Sequence, residues 1–362
     1  MMPTTHTTPI ATTDYHTAGE PFRIVHENGP VPPGGTVGER RMAAMTNAAG
    51  ADSIRRLLCQ EPRGHADMYG GFITPPNDDG AHFGVLFWHK DGFSTACGHG
   101  TIALGVWATD TGLVPSDPDG ITEVRIDVPS GRVAALVERA GGALVRATFR
   151  NVPSHEIARS VPVSTTRGNI TADLSFSGAI YASVRAADLG LSVDPAHYTE
   201  LIALGREVKW ALNDSPGAQH AADPRLSGVY GTIIWDDLGK SEAGPRQRNI
   251  TIFADGEVDR SPCGSGTGAR VALLAADGTL AASETLEHRS IVDTEFSARW
   301  TPAATPAPVP VGAAASTAVD TMAVASLAAP VVPEVSGTAY RTGEHRFFLD
   351  PADALGDGFV LR

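Results

Sequence analysis

Apolar residues in this chain mostly fall in short stretches bounded by turn residues, and only a few windows carry the wider spacing of helices. In the first half the pattern predicts strands at Phe22–Val25, Gly84–Lys90, Val124–Val128, Val133–Val137 and Ala143–Phe149, and a helix from about Gly38 to Cys59. The second half repeats that order, with strands within Phe176–Arg185, a helix over Tyr198–Leu212, and strands at Gly228–Trp235 and Asn249–Ala254. Arg346 to Pro351 reads as a last strand ending in a turn. Two windows are apolar without alternation, Ile102–Trp107 and Val271–Ala275. Each stops at a turn, Asp110 to Gly112 and Asp277-Gly278, as a helix ended by glycine does. The class predicted is α+β, with two similar strand-rich lobes, each wrapped around one helix.

The two apolar helices also begin alike. Ser94-Thr95-Ala96-Cys97-Gly98-His99-Gly100-Thr101 returns as Arg260-Ser261-Pro262-Cys263-Gly264-Ser265-Gly266-Thr267, so each half presents one cysteine ahead of a Gly-x-Gly-Thr turn. In a duplicated fold the two thiols face each other. At a helix start the unpaired amides and the helix dipole favour an anion, and can lower a thiol from about 8.5 toward roughly 3.5–7.5. Such a cysteine is a base or a nucleophile, and the same amides can hold a substrate carboxylate.

Composition narrows the partners. The chain has 362 residues, enough for roughly two domains of ordinary size, and a net charge of −13 from 28 Lys and Arg against 41 Asp and Glu. That balance argues against nucleic acid or an anionic membrane surface and for a small-molecule ligand. No stretch approaches eighteen apolar residues, and the Thr-rich start, Met1 to Thr13, lacks the apolar core of a signal peptide. The expected location is the cytoplasm, where the three cysteines stay reduced. Cys59 reads as a small half-buried residue of its helix. Between Thr301 and Pro333 the composition turns to Ala, Pro, Val and Thr with almost no charge, a loose insertion, and pattern resumes at Glu334.

Several phrases resemble the proline racemase family, which includes proline racemases, 4-hydroxyproline epimerases and trans-3-hydroxy-L-proline dehydratases. They are Asp14-Tyr15-His16-Thr17-Ala18-Gly19-Glu20-Pro21, Glu61-Pro62-Arg63-Gly64-His65-Ala66-Asp67-Met68-Tyr69-Gly70, Cys97-Gly98-His99-Gly100, Asp259-Arg260-Ser261-Pro262-Cys263-Gly264 and Phe348-Leu349-Asp350-Pro351. The resemblance implies a fold similar to diaminopimelate epimerase: two pseudo-symmetric lobes, each a curved sheet or barrel around a central helix. Residues 8–155, completed by 336–362, are the expected first lobe with Cys97; 156–335 are the second, with Cys263 and the insertion at 301–333. It also implies an imino acid substrate, no pyridoxal phosphate or metal, and a homodimer. Carried over by motif, Cys97 and Cys263 are the acid and base, and Gly98, His99, Asp259, Gly264 and Ser265 contact the substrate. Tyr69 and Phe253 match the aromatic residues that cover its ring.

Inversion of an α-carbon needs a proton removed from one face and another delivered to the opposite face, which suits two bases. Dehydration of 3-hydroxyproline needs one base, and family dehydratases typically carry Thr or Ser at the second position. Cys263 therefore favours a racemase or 2-epimerase, although Phe93 to Gly105 and Val258 to Ser261 are closer in wording to the dehydratase branch, and Ala96 stands where Met is usual. A third class is a non-catalytic amino-acid-binding or thiol redox protein. His99 as a helix cap, Asp259 as a turn residue, Phe253 and Tyr69 as core, and His220 as a loop residue are the plainer readings. Zinc at Cys97-x-His99 lacks the partner spacing of a closed site.

Overall fold

The computed structural model describes residues 9–304, 328–350 and 352–361, so residues 305–327 of the predicted insertion lie outside the described residues. Five α-helices occur among them: α1 (Val37–Met45), α2 (Ala51–Cys59), α3 (Gly98–Asp110), α4 (Tyr198–Leu212) and α5 (Gly264–Ala276). Eighteen strands join in one hydrogen-bonded network around these helices. The fold is the two-lobed α+β arrangement that the repeated pattern predicts.

α3 and α5 occupy the centres because neither has a polar face to give to water. Every residue of α3 from Gly98 to Thr109 is buried, and every residue of α5 through Leu274. Strands Gly131–Ala140 and Ala143–Arg150 lie against α3, whereas His155–Thr165, Gly168–Phe176 and Val331–Gly337 lie against α5. Val331–Gly337 also pairs antiparallel with Ala143–Arg150, Glu334 opposite Arg150, and so ties the two groups of strands together. Both central helices end as predicted, at Gly112 (φ +73°) and Gly278 (φ +74°), a left-handed turn that glycine adopts without penalty.

Strand Ile10–Thr17, within a stretch the pattern left unassigned, lies between Glu20–Glu27 and the last strand, Ala339–Phe347. Its polar residues are buried in pairs: Asp14 accepts from the Arg23 guanidinium at 2.8 Å, with Thr12 also bonded to Asp14. The helix predicted from Gly38 to Cys59 is two helices. Asn47, Ala49 and Gly50 take positive φ, and the Asn47 side chain accepts the Ser53 N–H at 3.0 Å at the start of α2, so the chain turns there. The last strand stops at Phe347, ahead of the predicted turn. The described ends of the Ala/Pro-rich stretch are ordered as strand, Thr301 pairing with Val332 and Pro302 with Val331.

Candidate active site

Each thiol caps the helix that follows it. Cys97 Sγ accepts the Gly100 N–H at 3.2 Å, and Cys263 Sγ accepts the Gly266 N–H at 3.3 Å. The symmetry is incomplete in the backbone, because Cys97 is extended (φ −155°) whereas Cys263 sits at φ +63°, ψ 108°. A non-glycine residue there stores roughly 1–3 kcal/mol of strain, a cost that persists where surrounding structure over-determines it. Around Cys263 the determinants are visible: its N–H donates to Ser261 Oγ at 3.1 Å, and Thr267 N–H donates to its carbonyl at 2.7 Å.

The helix starts converge on one small cavity of about 10 Å³, lined by Tyr69, Ala96, Cys97, Gly98, His99, Tyr181, Tyr230, Phe253, Asp259, Cys263 and Ser265. Roughly 10–15 Å³ is the least that holds a water, so the cleft is closed in this state. Of the residues carried over by motif as catalytic or substrate-contacting, Gly264 alone is not on the lining, and it abuts Gly98 directly behind it. Tyr181, Tyr230 and Ala96 complete the wall. The two tyrosines carry no motif: Tyr181 lies in strand Ile180–Arg185 and Tyr230 in Val229–Lys240, and only the tertiary fold turns their rings inward.

Asp259 and His99 link the two halves. His99 Nδ1 lies 3.5 Å from Asp259 Oδ2 and its Nε2 3.5 Å from Cys97 Sγ. Ser261 donates to Asp259 Oδ1 through both its N–H, at 2.9 Å, and its hydroxyl, at 2.6 Å. Burial disfavours the Asp259 carboxylate, but His99 and the donors from Ser261 and Cys263 outweigh it and hold the carboxyl below its usual range. The thiols go the other way. Burial pushes Cys97 well above its ordinary value, against the Gly100 N–H, and the charge of Asp259 adds to the rise. Burial followed by Asp259 does the same to Cys263. The helix start alone predicts lowered thiols; in the closed cleft desolvation wins.

Aromatic rings form the remaining wall. The Tyr69 ring centroid is 5.7 Å from that of Phe253 and 5.1 Å from His99, and Tyr230 stacks on Phe253 at 5.7 Å. Behind Phe253, His89, Asp91 and Glu257 offer ligand atoms within 4.8 Å of one another. The Lys90 ammonium, 2.8 Å from Asp91 and 3.9 Å from Glu257, already supplies a cation to that group. Among the described residues no helix is long and apolar enough to cross a membrane.

A solved hydroxyproline epimerase from Agrobacterium vitis, with bound trans-4-hydroxy-L-proline, superposes on the two lobes and their apposed helix starts with a TM-score of 0.85 at 25% identity over 98% of this chain and 95% of that one. The chain belongs to the proline racemase family, whose sequence model matches residues 12–360. It is 41% identical to a trans-3-hydroxy-L-proline dehydratase of Azospirillum brasilense, over 98% of each chain. It is equally 41% identical to a 3-hydroxyproline 2-epimerase of Burkholderia multivorans, again over 98% of each.

Proposed function

We propose that this chain is a cofactor-independent racemase or 2-epimerase of proline or a hydroxyproline, with Cys97 and Cys263 as paired acid and base. The observation that carries the reading is the meeting of two thiol-capped helix starts in one cavity. One thiolate takes the α-hydrogen, the C–H electron pair passes into the carboxylate as an enolate, and the facing thiol delivers its proton to the opposite face of the α-carbon. The pair ends with its protonation reversed.

The surroundings suit each part of such a substrate. Amides of the first turns not engaged by sulfur are placed for the carboxylate and for the negative charge that grows on it. Asp259, held ionised beside His99, suits the ring ammonium. Seating a cation there also cancels the charge that raises Cys263, so substrate binding itself draws a thiol toward ionisation. Tyr69 and Phe253 cover the ring and exclude water. A cavity of about 10 Å³ admits no five-membered ring, so binding requires the lobes, read as 8–155 with 336–362 and 156–335, to part. A homodimer fits the family.

The relatives named as dehydratases favour a second reading, trans-3-hydroxy-L-proline dehydration. In that substrate the hydroxyl lies on the same ring face as the α-hydrogen. One cysteine can take the proton there and return it to the departing hydroxide as water, leaving a C2–C3 double bond that tautomerises to pyrroline-2-carboxylate. The test is turnover of L-proline, trans-4-hydroxy-L-proline and trans-3-hydroxy-L-proline in deuterated water by the natural protein and by Cys263→Ser. Loss of inversion and α-labelling in the variant supports the two-thiol reading. Continued formation of pyrroline-2-carboxylate by the variant means the dehydratase, and natural protein that shows neither α-exchange nor pyrroline-2-carboxylate formation on any of the three removes both.

A further inference from the structure

Three hydroxyls stand in a row at the edge of the thiol cavity. Tyr69 Oη contacts Ser94 Oγ on one side and Tyr230 Oη, at 3.0 Å, on the other. Each hydroxyl has one proton to donate and two lone pairs. Two contacts use two of the three protons, so one O–H has no acceptor inside the row. Either atom of each contact can donate; in the order Ser94 to Tyr69 to Tyr230 the unused proton lies on Tyr230, the partly buried end of the row, whereas Ser94 and Tyr69 are 3% and 2% exposed. Tyr230 lines the thiol cavity, and together with Ser94 it lines an adjoining chamber of about 580 Å³.

The rest of the cavity wall offers little else to a ring substituent. The carboxylate and ammonium of an imino acid are accounted for at the helix starts and at Asp259. Phe253 has no polar atom. Tyr181 Oη lies 2.6 Å from Ser265 Oγ and is bonded also to the Cys263 thiol. Burial above all keeps Tyr230 well above its ordinary value, so its phenol keeps its proton.

We propose that Tyr230, oriented by Tyr69 and Ser94, reads the ring hydroxyl of a hydroxylated imino acid, its phenol O–H donating to the substrate's hydroxyl oxygen. Unsubstituted proline leaves that donor unpaired. The assignment rests on the imino-acid reading above and extends it to substrate choice.

Tyr230→Phe removes the oxygen and keeps the ring that stacks on Phe253. kcat/KM for trans-3-hydroxy-L-proline, trans-4-hydroxy-L-proline and L-proline is compared between natural protein and variant. The three dissociation constants are measured by calorimetry in a non-reacting Cys97→Ser, Cys263→Ser background, with and without Tyr230→Phe. The expected result is that the preference for one hydroxylated ligand over proline falls at least about tenfold in both readouts, the cost of a lost buried partner. The ligand affected identifies the carbon that bears the hydroxyl. A preference unchanged by the substitution, whether all three ligands weaken together or none does, overturns the assignment. Natural protein that binds these ligands but turns none over defeats the catalytic reading alone, and the calorimetric preference still decides Tyr230. Failure of all three to bind overturns both.

Discussion

Gly98 and Gly264 meet backbone to backbone: a Cβ on Gly98 would stand 2.6 Å from the Gly264 Cα, and one on Gly264 equally close to the Gly98 Cα. The starts of α3 and α5 touch through hydrogen atoms alone, and this contact sets how far apart Cys97 and Cys263 can be. Ala at either position has backbone on the other side and cannot be relieved by a rotamer change. Gly98→Ala or Gly264→Ala is expected to cost about 1–3 kcal/mol in urea unfolding. The larger effect is on chemistry, since a displacement of about 1 Å is worth on the order of a hundredfold in rate. α-Deuterium exchange should therefore fall by roughly that factor while the variant stays folded; full exchange in a folded Ala variant would show that the thiols do not act as a spaced pair.

The raised thiols predict an alkaline enzyme. A base must be ionised, and burial holds both Cys97 and Cys263 above the ordinary thiol value. kcat/KM, which reports the free protein, should rise about tenfold per pH unit through neutrality and still be rising at pH 9, as a property of the coupled pair. A plateau reached between pH 6 and 8 would mean that the helix starts prevail over desolvation. Stability moves oppositely. In the folded chain these thiols and Cys59, also raised by burial, keep protons that the unfolded chain releases, so unfolding free energy falls as pH climbs past the ordinary thiol value.

What was legible in the sequence was local. A cysteine followed by Gly-x-Gly-Thr and an apolar run that ends at glycine specifies a capped, enclosed helix, and both such helices lie where the pattern puts them. Tyr181, Tyr230 and Ser94 were not legible because they come from strands and loops whose inward direction is decided by sheet pairing. Ile10–Thr17 escaped because its polar residues are satisfied by partners distant in sequence, as Asp14 is by Arg23. The thiol shifts were misjudged for a related reason: the helix start is written in the neighbouring residues, whereas desolvation depends on two lobes closing on each other.

Arg260 is a further charged tie between the two cysteine motifs' surroundings. Its Nε lies 2.9 Å from Glu20 Oε2, its N–H donates to the same oxygen at 2.8 Å, and its Nη1 lies 3.4 Å from Asp67. Glu20 is wholly buried; burial drives its carboxyl well above the usual range, and Arg260 opposes that. Arg260→Met removes that opposition, so the Glu20 carboxyl rises further and keeps a proton as a buried acid short of its partner, which should cost about 1–3 kcal/mol in urea unfolding. Adding Glu20→Gln removes the unpaired acid and should restore part of the loss. A double variant no more stable than the single would show that packing of the guanidinium, rather than its charge, is what matters.

His288 should make the second lobe acid-sensitive. It is wholly buried behind α5, with Nε2 2.8 Å from the Asn249 amide nitrogen and Nδ1 2.8 Å from Thr267 Oγ1, which in turn donates to the Pro262 carbonyl beside Cys263. The neutral ring fits this setting by accepting from Asn249 and donating to Thr267. A second ring proton would face the Asn249 N–H donors. Burial, and then the nearby Arg270 charge, hold the imidazole down at about 3. Between its ordinary value near 6.5 and that lowered value the unfolded chain takes up a proton that the folded chain refuses, so stability is lost as pH falls. From pH 7 to pH 4 the loss is about 3 kcal/mol. Glu20 and Glu257, whose carboxyls burial raises, push in the opposite direction, so the informative quantity is the difference between natural protein and His288→Gln. That difference should shrink by about 3 kcal/mol over this range; a gap that stays constant with pH would mean that His288 does not resist protonation in the folded chain.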